Sequence, residues 1–127
     1  MISKIPNWYL VMERKGSKYS ITFSILALSE VRMVMTKGTK LLLKLEDGTM
    51  MEFTAENEVV PSFDVAGAIY THWDMKVPVT EDQIKQFSKS AISIMRTTIG
   101  DKEYNMPDAH DRYTNKIMAN AACMLEN

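Results

Sequence analysis

His72 and Asp74 are the residues whose types and spacing come closest to chemistry. They stand two apart in a stretch, 66–77, that reads as a β-strand, so both point to one face. A His-x-Asp pair of this kind can ligate a metal or act as an acid–base couple. Either role needs a third group, and His110, with Asp108 or Asp111 beside it, is the only obvious source. Those residues fall at the start of an expected helix, where caps and acidic side chains belong in any case. Tyr70 and Lys76 share the face of His72 and Asp74, which makes it the polar side of its strand. The expectation is therefore a solvated strand face, with no catalytic, cofactor-binding or metal residue assigned. A metal-dependent hydrolase or metal binder using His72, Asp74 and His110 is the alternative.

Other reactive side chains give less. Cys123, the one cysteine, falls in the last turns of the terminal helix, where the helix dipole is opposite to the field that activates a nucleophilic thiol. It reads as a structural thiol, and a single cysteine excludes an internal disulfide. The five glycines punctuate turns and strands and form no phosphate-binding loop. Lys15 and Lys18, then Lys37 and Lys40, gather at expected hairpin tips. Anionic lipid is one partner they would suit, but charged tips also keep strand edges from pairing with other chains.

The elements that must position these residues follow from periodicity. A first strand, 8–14, is apolar on both faces. The second, 18–26, alternates Tyr19, Ile21, Phe23 and Ile25 with hydroxyl residues. Strands at 30–35, 39–45 and 49–54 follow, with Val31, Met33, Met35, Leu41, Leu43, Leu45, Met51 and Phe53 on one face. Register decides the turns. A three-residue loop over Glu46, Asp47 and Gly48 sets Leu43 against Met51 and Leu41 against Phe53, whereas a two-residue loop mixes apolar with charged partners. Thr36, Lys37 and Gly38 suggest the same turn, setting Met33 against Leu41 and Val31 against Leu43. Residues 56–64 read as a loop, and Pro78 should end the long strand.

Thr80, Glu81, Asp82 and Gln83 fit a capping box, with Val79 and Ile84 as a hydrophobic staple, so a short helix runs to about 88–90. A strand at 91–97, a short segment at 102–105 and a helix over 108–125 complete the chain. Tyr113, Ile117, Ala121, Met124 and Leu125 form the buried stripe of that helix. It is the natural cover for the apolar hairpin face.

Strand runs followed by a helix indicate one α+β domain over residues 1–127. The expected architecture is an antiparallel meander of six to eight strands, curved or barrel-like. It has a short inserted helix and a C-terminal amphipathic helix packed on the sheet. The order looks similar to that of pleckstrin-homology-like domains, from which the inserted helix departs. Three strings carry a second resemblance: residues 40–49 (KLLLKLEDGT), 77–84 (VPVTEDQI) and 91–96 (AISIMR). Together they resemble small uncharacterised bacterial proteins built as an LEDGT strand, a T-E-x-Q helix and an I-x-I-x-R strand. That group implies a fold and no activity.

Bulk properties bound the function. The 127 residues are 46% hydrophobic and 24% charged, as in an ordinary globular protein. Fifteen basic against sixteen acidic residues give a net charge of −1, without the basic excess that nucleic-acid binding needs. No apolar run is long enough to span a membrane, and the first residues lack the pattern of a signal peptide, so a cytoplasmic location is expected. Eleven methionines fill cores or adaptable surfaces. With Trp73 and Tyr70 they point to a noncatalytic module that binds protein, or a second copy of itself, and needs no cofactor.

Overall fold

The structure, a computed structural model, describes residues 2–5, 8–27, 29–65, 69–105 and 111–126, with side chains for 10–27, 29–63, 70–105 and 117–126. Among the described residues, nine strands and two helices follow in the order β1 (Ile2–Ile5), β2 (Trp8–Lys15), β3 (Lys18–Ala27), β4 (Lys40–Leu45), β5 (Met50–Thr54), β6 (Ser62–Val65), β7 (Ile69–Val79), α1 (Glu81–Lys89), β8 (Ile92–Ile99), β9 (Lys102–Asn105) and α2 (Asp111–Leu125).

The strands form two antiparallel sheets, β1-β2-β3-β7-β6 and β5-β4-β8-β9, and do not close into a barrel. The single meander expected from the sequence is broken at residues 29–35. That segment is not a strand. Its backbone is held by side chains instead: Thr71 Oγ1 donates to the Ser29 carbonyl (2.6 Å) and accepts from Val31 N–H (2.8 Å). Trp73 Nε1 donates to the Met33 carbonyl at 2.9 Å. Only Met35 makes a β-bridge, to Val59.

Gly38 adopts φ +94, and Thr39 N–H closes a turn on the Thr36 carbonyl. The chain does not reverse there. Met35 with Val59 and Thr39 with Ala55 lie in one register with the β4–β5 ladder, so 35–45 is one interrupted arm of a long hairpin. The expected pairs Met33–Leu41 and Val31–Leu43 are therefore replaced, and Met33 lies half-exposed against Gly100.

The other hairpin matches its reading. Leu41 pairs with Phe53 and Leu43 with Met51, Leu45 N–H donates to the Thr49 carbonyl, and Gly48 sits at φ +93. Glycine tolerates that left-handed position without the strain of a Cβ. Asp47 Oδ1 accepts from Thr49 N–H at 2.9 Å inside the turn. Hydrogen bonding from Thr49, first its side chain and then its main chain, holds the Asp47 carboxyl below its ordinary range. A depressed folded-state pKa adds stability above the unfolded value and loses it as pH falls through the folded one. Asp47→Ala should thus weaken the protein at neutral pH, with the difference from wild type vanishing in acid. Denaturation curves recorded across that range check it.

Residues 62–65 form β6 rather than loop, and β7 runs through Pro78 to Val79. β6 accompanies β7 only as far as His72. Beyond that point one side of β7 is an open edge, where a proline nitrogen costs no ladder bond.

Between the sheets Phe23 of β3 meets Phe53 of β5 at 5.2 Å between ring centroids, and Trp73 of β7 meets Tyr104 of β9 at 5.3 Å. α1 begins with the expected capping box at Thr80 and Gln83. It buries Ile84 and Phe87, whose ring stacks on Phe53 at 6.4 Å. The cover of the apolar hairpin face is therefore the opposite sheet together with α1. α2 packs chiefly on α1, β1 and β2, burying Ile117, Ala121 and Met124. Arg14 Nη1 donates to the Met124 carbonyl at 2.7 Å, satisfying one of the last-turn acceptors of that helix. The Tyr113 side chain of the expected stripe and the expected cap Asp108 lie outside the described residues.

Candidate functional site

The strand parity of β7 puts His72, Asp74 and Lys76 on the outer face of the five-stranded sheet. Registers place Ser24 opposite Asp74 and Thr22 opposite Lys76. Asp74 Oδ1 accepts from Ser24 Oγ at 2.5 Å and lies 3.2 Å from His72 Nδ1. Lys76 Nζ stands 3.9 Å from Glu13. Half of the Asp74 side chain is open to solvent, so its charge is hydrated as well as paired. Among the described residues no group of three or more His, Cys, Asp and Glu side chains has a metal-holding arrangement. His110 and Asp108 lie outside the described residues, as does the side chain of Asp111. The structure brings His72 and Asp74 together and leaves the third expected group unplaced.

Of the tip lysines, Lys15 and Lys18 face each other across the β2–β3 turn, and Lys40 is bound to Glu52 at 3.2 Å. Lys37 lies at the Gly38 turn. Cys123 is half-buried in the last turns of α2. No helix among the described residues is long and apolar enough to cross a membrane.

Trp73 does not line a contact surface: it is fully buried, consumed by Tyr104 and the Met33 carbonyl. The exposed apolar side chains lie on the second sheet instead. Lys44 of β4 pairs with Met50 of β5 and with Ile94 of β8, and Leu42, two residues along, is diagonal to both. Their side chains are within reach of one another at such spacings. Leu42, Met50 and Ile94 are 39%, 62% and 43% exposed and border one shallow depression with Lys44 and Arg96.

Ile94 alternates outward from buried Met95, and a bulge lies next to it. The β4–β8 register shifts between Lys44 and Leu45, so Ser93 and Ile94 both face out while Ile92 and Met95 face in. An extra residue in one strand turns the following side chain to the opposite face. The sequence did carry a signal: Met95, Thr97 and Ile99 share one parity and Ile92 the other.

Charges frame the apolar group. Glu52 is bound to Lys40, and Arg96 is bound to Glu103 (3.2 Å) and Asn105 (3.1 Å). Lys44, between Met50 and Ile94, makes no ion pair among the described residues.

Below this face lies an edge. Leu45 N–H bonds to Thr49 and Ala55 N–H to Thr39, so the odd-numbered residues of β5 bond β4. The N–H and C=O groups of Glu52 and Thr54 therefore point outward. They open into a groove of about 580 Å³ bordered by Phe53, Ala55, Val77, Pro78 and Gln83. Compared with protein-family models, curated proteins and solved structures, this chain matches none.

Proposed function

We propose that this chain is a noncatalytic protein-interaction module that docks its partner on the outer face of β5, β4 and β8. The observation that carries the proposal is the cluster of Leu42, Met50 and Ile94, exposed side by side on three neighbouring strands. Exposed apolar groups rimmed by charge mark contact sites. The unpaired Lys44 at the centre sets the chemistry of the partner: an apolar protein surface that presents a carboxylate.

The metal-dependent reading through His72, Asp74 and His110 has less support, since Asp74 is engaged by Ser24 and His72 on a solvated face. Lipid binding by the lysine tips is weakened by the Lys40–Glu52 pair. The strand-first order and terminal helix support a pleckstrin-homology-like arrangement, and the strings at 40–49, 77–84 and 91–96 support the resemblance to small uncharacterised bacterial proteins.

Photocrosslinking tests the docking face. With benzoylphenylalanine at position 50, an extract of the source cells should give a discrete adduct. The double variant Leu42→Lys with Ile94→Lys should lose that adduct and stay folded. An adduct that survives both substitutions, or none at all, would refute the docking face. An adduct of twice the chain's mass, rising with its concentration, would make the partner a second copy.

A further inference from the structure

We infer that the free edge of β5 accepts an extended peptide segment as an added strand, one that alternates apolar and basic residues. The inference rests on the interaction-module reading and adds a second contact to it, at the edge of the same sheet.

Edge strands whose backbone groups are unpaired are templates for strand addition. Here the template has a defined parity. Glu52 and Thr54 each offer an N–H and a C=O to the groove, which gives four hydrogen bonds for one short segment. Among the described residues neither one's backbone has a hydrogen-bond partner on that side.

The groove has the size range of a ligand site. Its far wall is Val77 and Pro78, on the open side of β7, and Gln83 at the start of α1. Standing across the groove from the edge, that wall would collide with the edge of a whole second sheet before it collided with one added strand. It favours a peptide over β5 of another copy.

Side chains of an added strand alternate as those of β5 do. One set falls beside buried Met51 and Phe53 and towards Val77, where apolar groups fit. The other falls beside Met50, Glu52 and Thr54. Past Glu56 the groove continues into a depression lined by Glu58, Asp74 and Lys76. The two together carry four carboxylates (Glu52, Glu56, Glu58, Asp74) against two lysines (Lys37, Lys76), and of the carboxylates Glu52 is bound to Lys40. Glu56 and Glu58 make no ion pair among the described residues. Basic residues in the added segment complement that charge.

The probe is a blocked seven-residue peptide of alternating Lys and Val, with an alternating Glu and Val peptide as its counterpart. Amide exchange is read by NMR on the whole chain. At saturation with the Lys–Val peptide, the Glu52 and Thr54 amides should exchange at least about tenfold more slowly, as newly bonded groups do. The Glu–Val peptide should leave them unchanged.

Glu52→Pro removes an outward N–H and no bond to β4, so it should keep the fold and abolish binding. Glu52→Ala should retain most of it. Unchanged exchange in the wild type, equal effects of the two peptides, or full binding by Glu52→Pro would overturn the inference. So would protection that grows with protein concentration alone, which would assign the edge to a second copy. A failure at this edge leaves the Met50 adduct and its loss in the Leu42 and Ile94 variant untouched, so the two proposals fail separately.

Discussion

Trp73→Ala is expected to destabilise the protein by about 3–5 kcal/mol, the range for truncating a fully buried aromatic side chain. Trp73 is 0% exposed. Its ring packs on Tyr104 of the opposite sheet, and its Nε1 holds the Met33 carbonyl. Losing both opens a cavity between the sheets and frees the middle of the 29–35 segment. Chemical denaturation gives the magnitude. Amide exchange should show the effect spreading to Val31 and Met35, which Thr71 and Val59 otherwise secure. Trp73→Phe keeps one aromatic ring but loses the indole donor and leaves the Met33 carbonyl without it, so its cost should be smaller, about 1–3 kcal/mol. A cost below 1 kcal/mol for the alanine variant would mean that Trp73 is not the pin between the sheets.

Phe53→Ala carries a comparable expectation, about 3–5 kcal/mol. Phe53 is the middle ring of three, with Phe23 of the other sheet on one side and Phe87 of α1 on the other. One truncation therefore loosens the contact between sheets and the seat of the helix. The double variant with Phe87→Ala separates these. Aromatic pairs add about 0.5–1.5 kcal/mol beyond their buried area, and residues in contact are not additive. The two costs should fall short of additivity by about that amount. Strict additivity would show that Phe53 and Phe87 act independently.

What was legible in the sequence was what local chemistry fixes. The box at Thr80 and Gln83 closes within four residues, and the turn at 46–48 is fixed by a glycine and a two-residue period. The 30–35 segment has the same period but bonds to Thr71 and Trp73, about forty positions away, and no local pattern announces such partners. The stripe of α2 was readable, yet a stripe does not say which surface it meets. It meets α1, β1 and β2, and the hairpin face it was expected to cover is closed by the other sheet and Phe87.

The candidate site divides in the same way. His72 and Asp74 were placed together correctly by strand parity alone. Trp73 was misplaced because an aromatic residue reads alike as core and as contact surface. Leu42 and Met50 alternate outward as their strands require. So does Ile94, which keeps the alternation of Met95, Thr97 and Ile99; the period breaks one residue earlier, where Ser93 is the extra residue of a bulge and Ile92 turns inward.

Methyl NMR of the chain, titrated with the partner isolated through the position-50 adduct, tests the docking face most directly. The methyl signals of Leu42, Met50 and Ile94 should shift or broaden first. Those of Leu26 and Thr22, which lie opposite His72 and Lys76 on the five-stranded sheet, should stay in place. Changes centred on Leu26 and Thr22, with Leu42, Met50 and Ile94 unmoved, would contradict the interaction face and return attention to the His72–Asp74 surface.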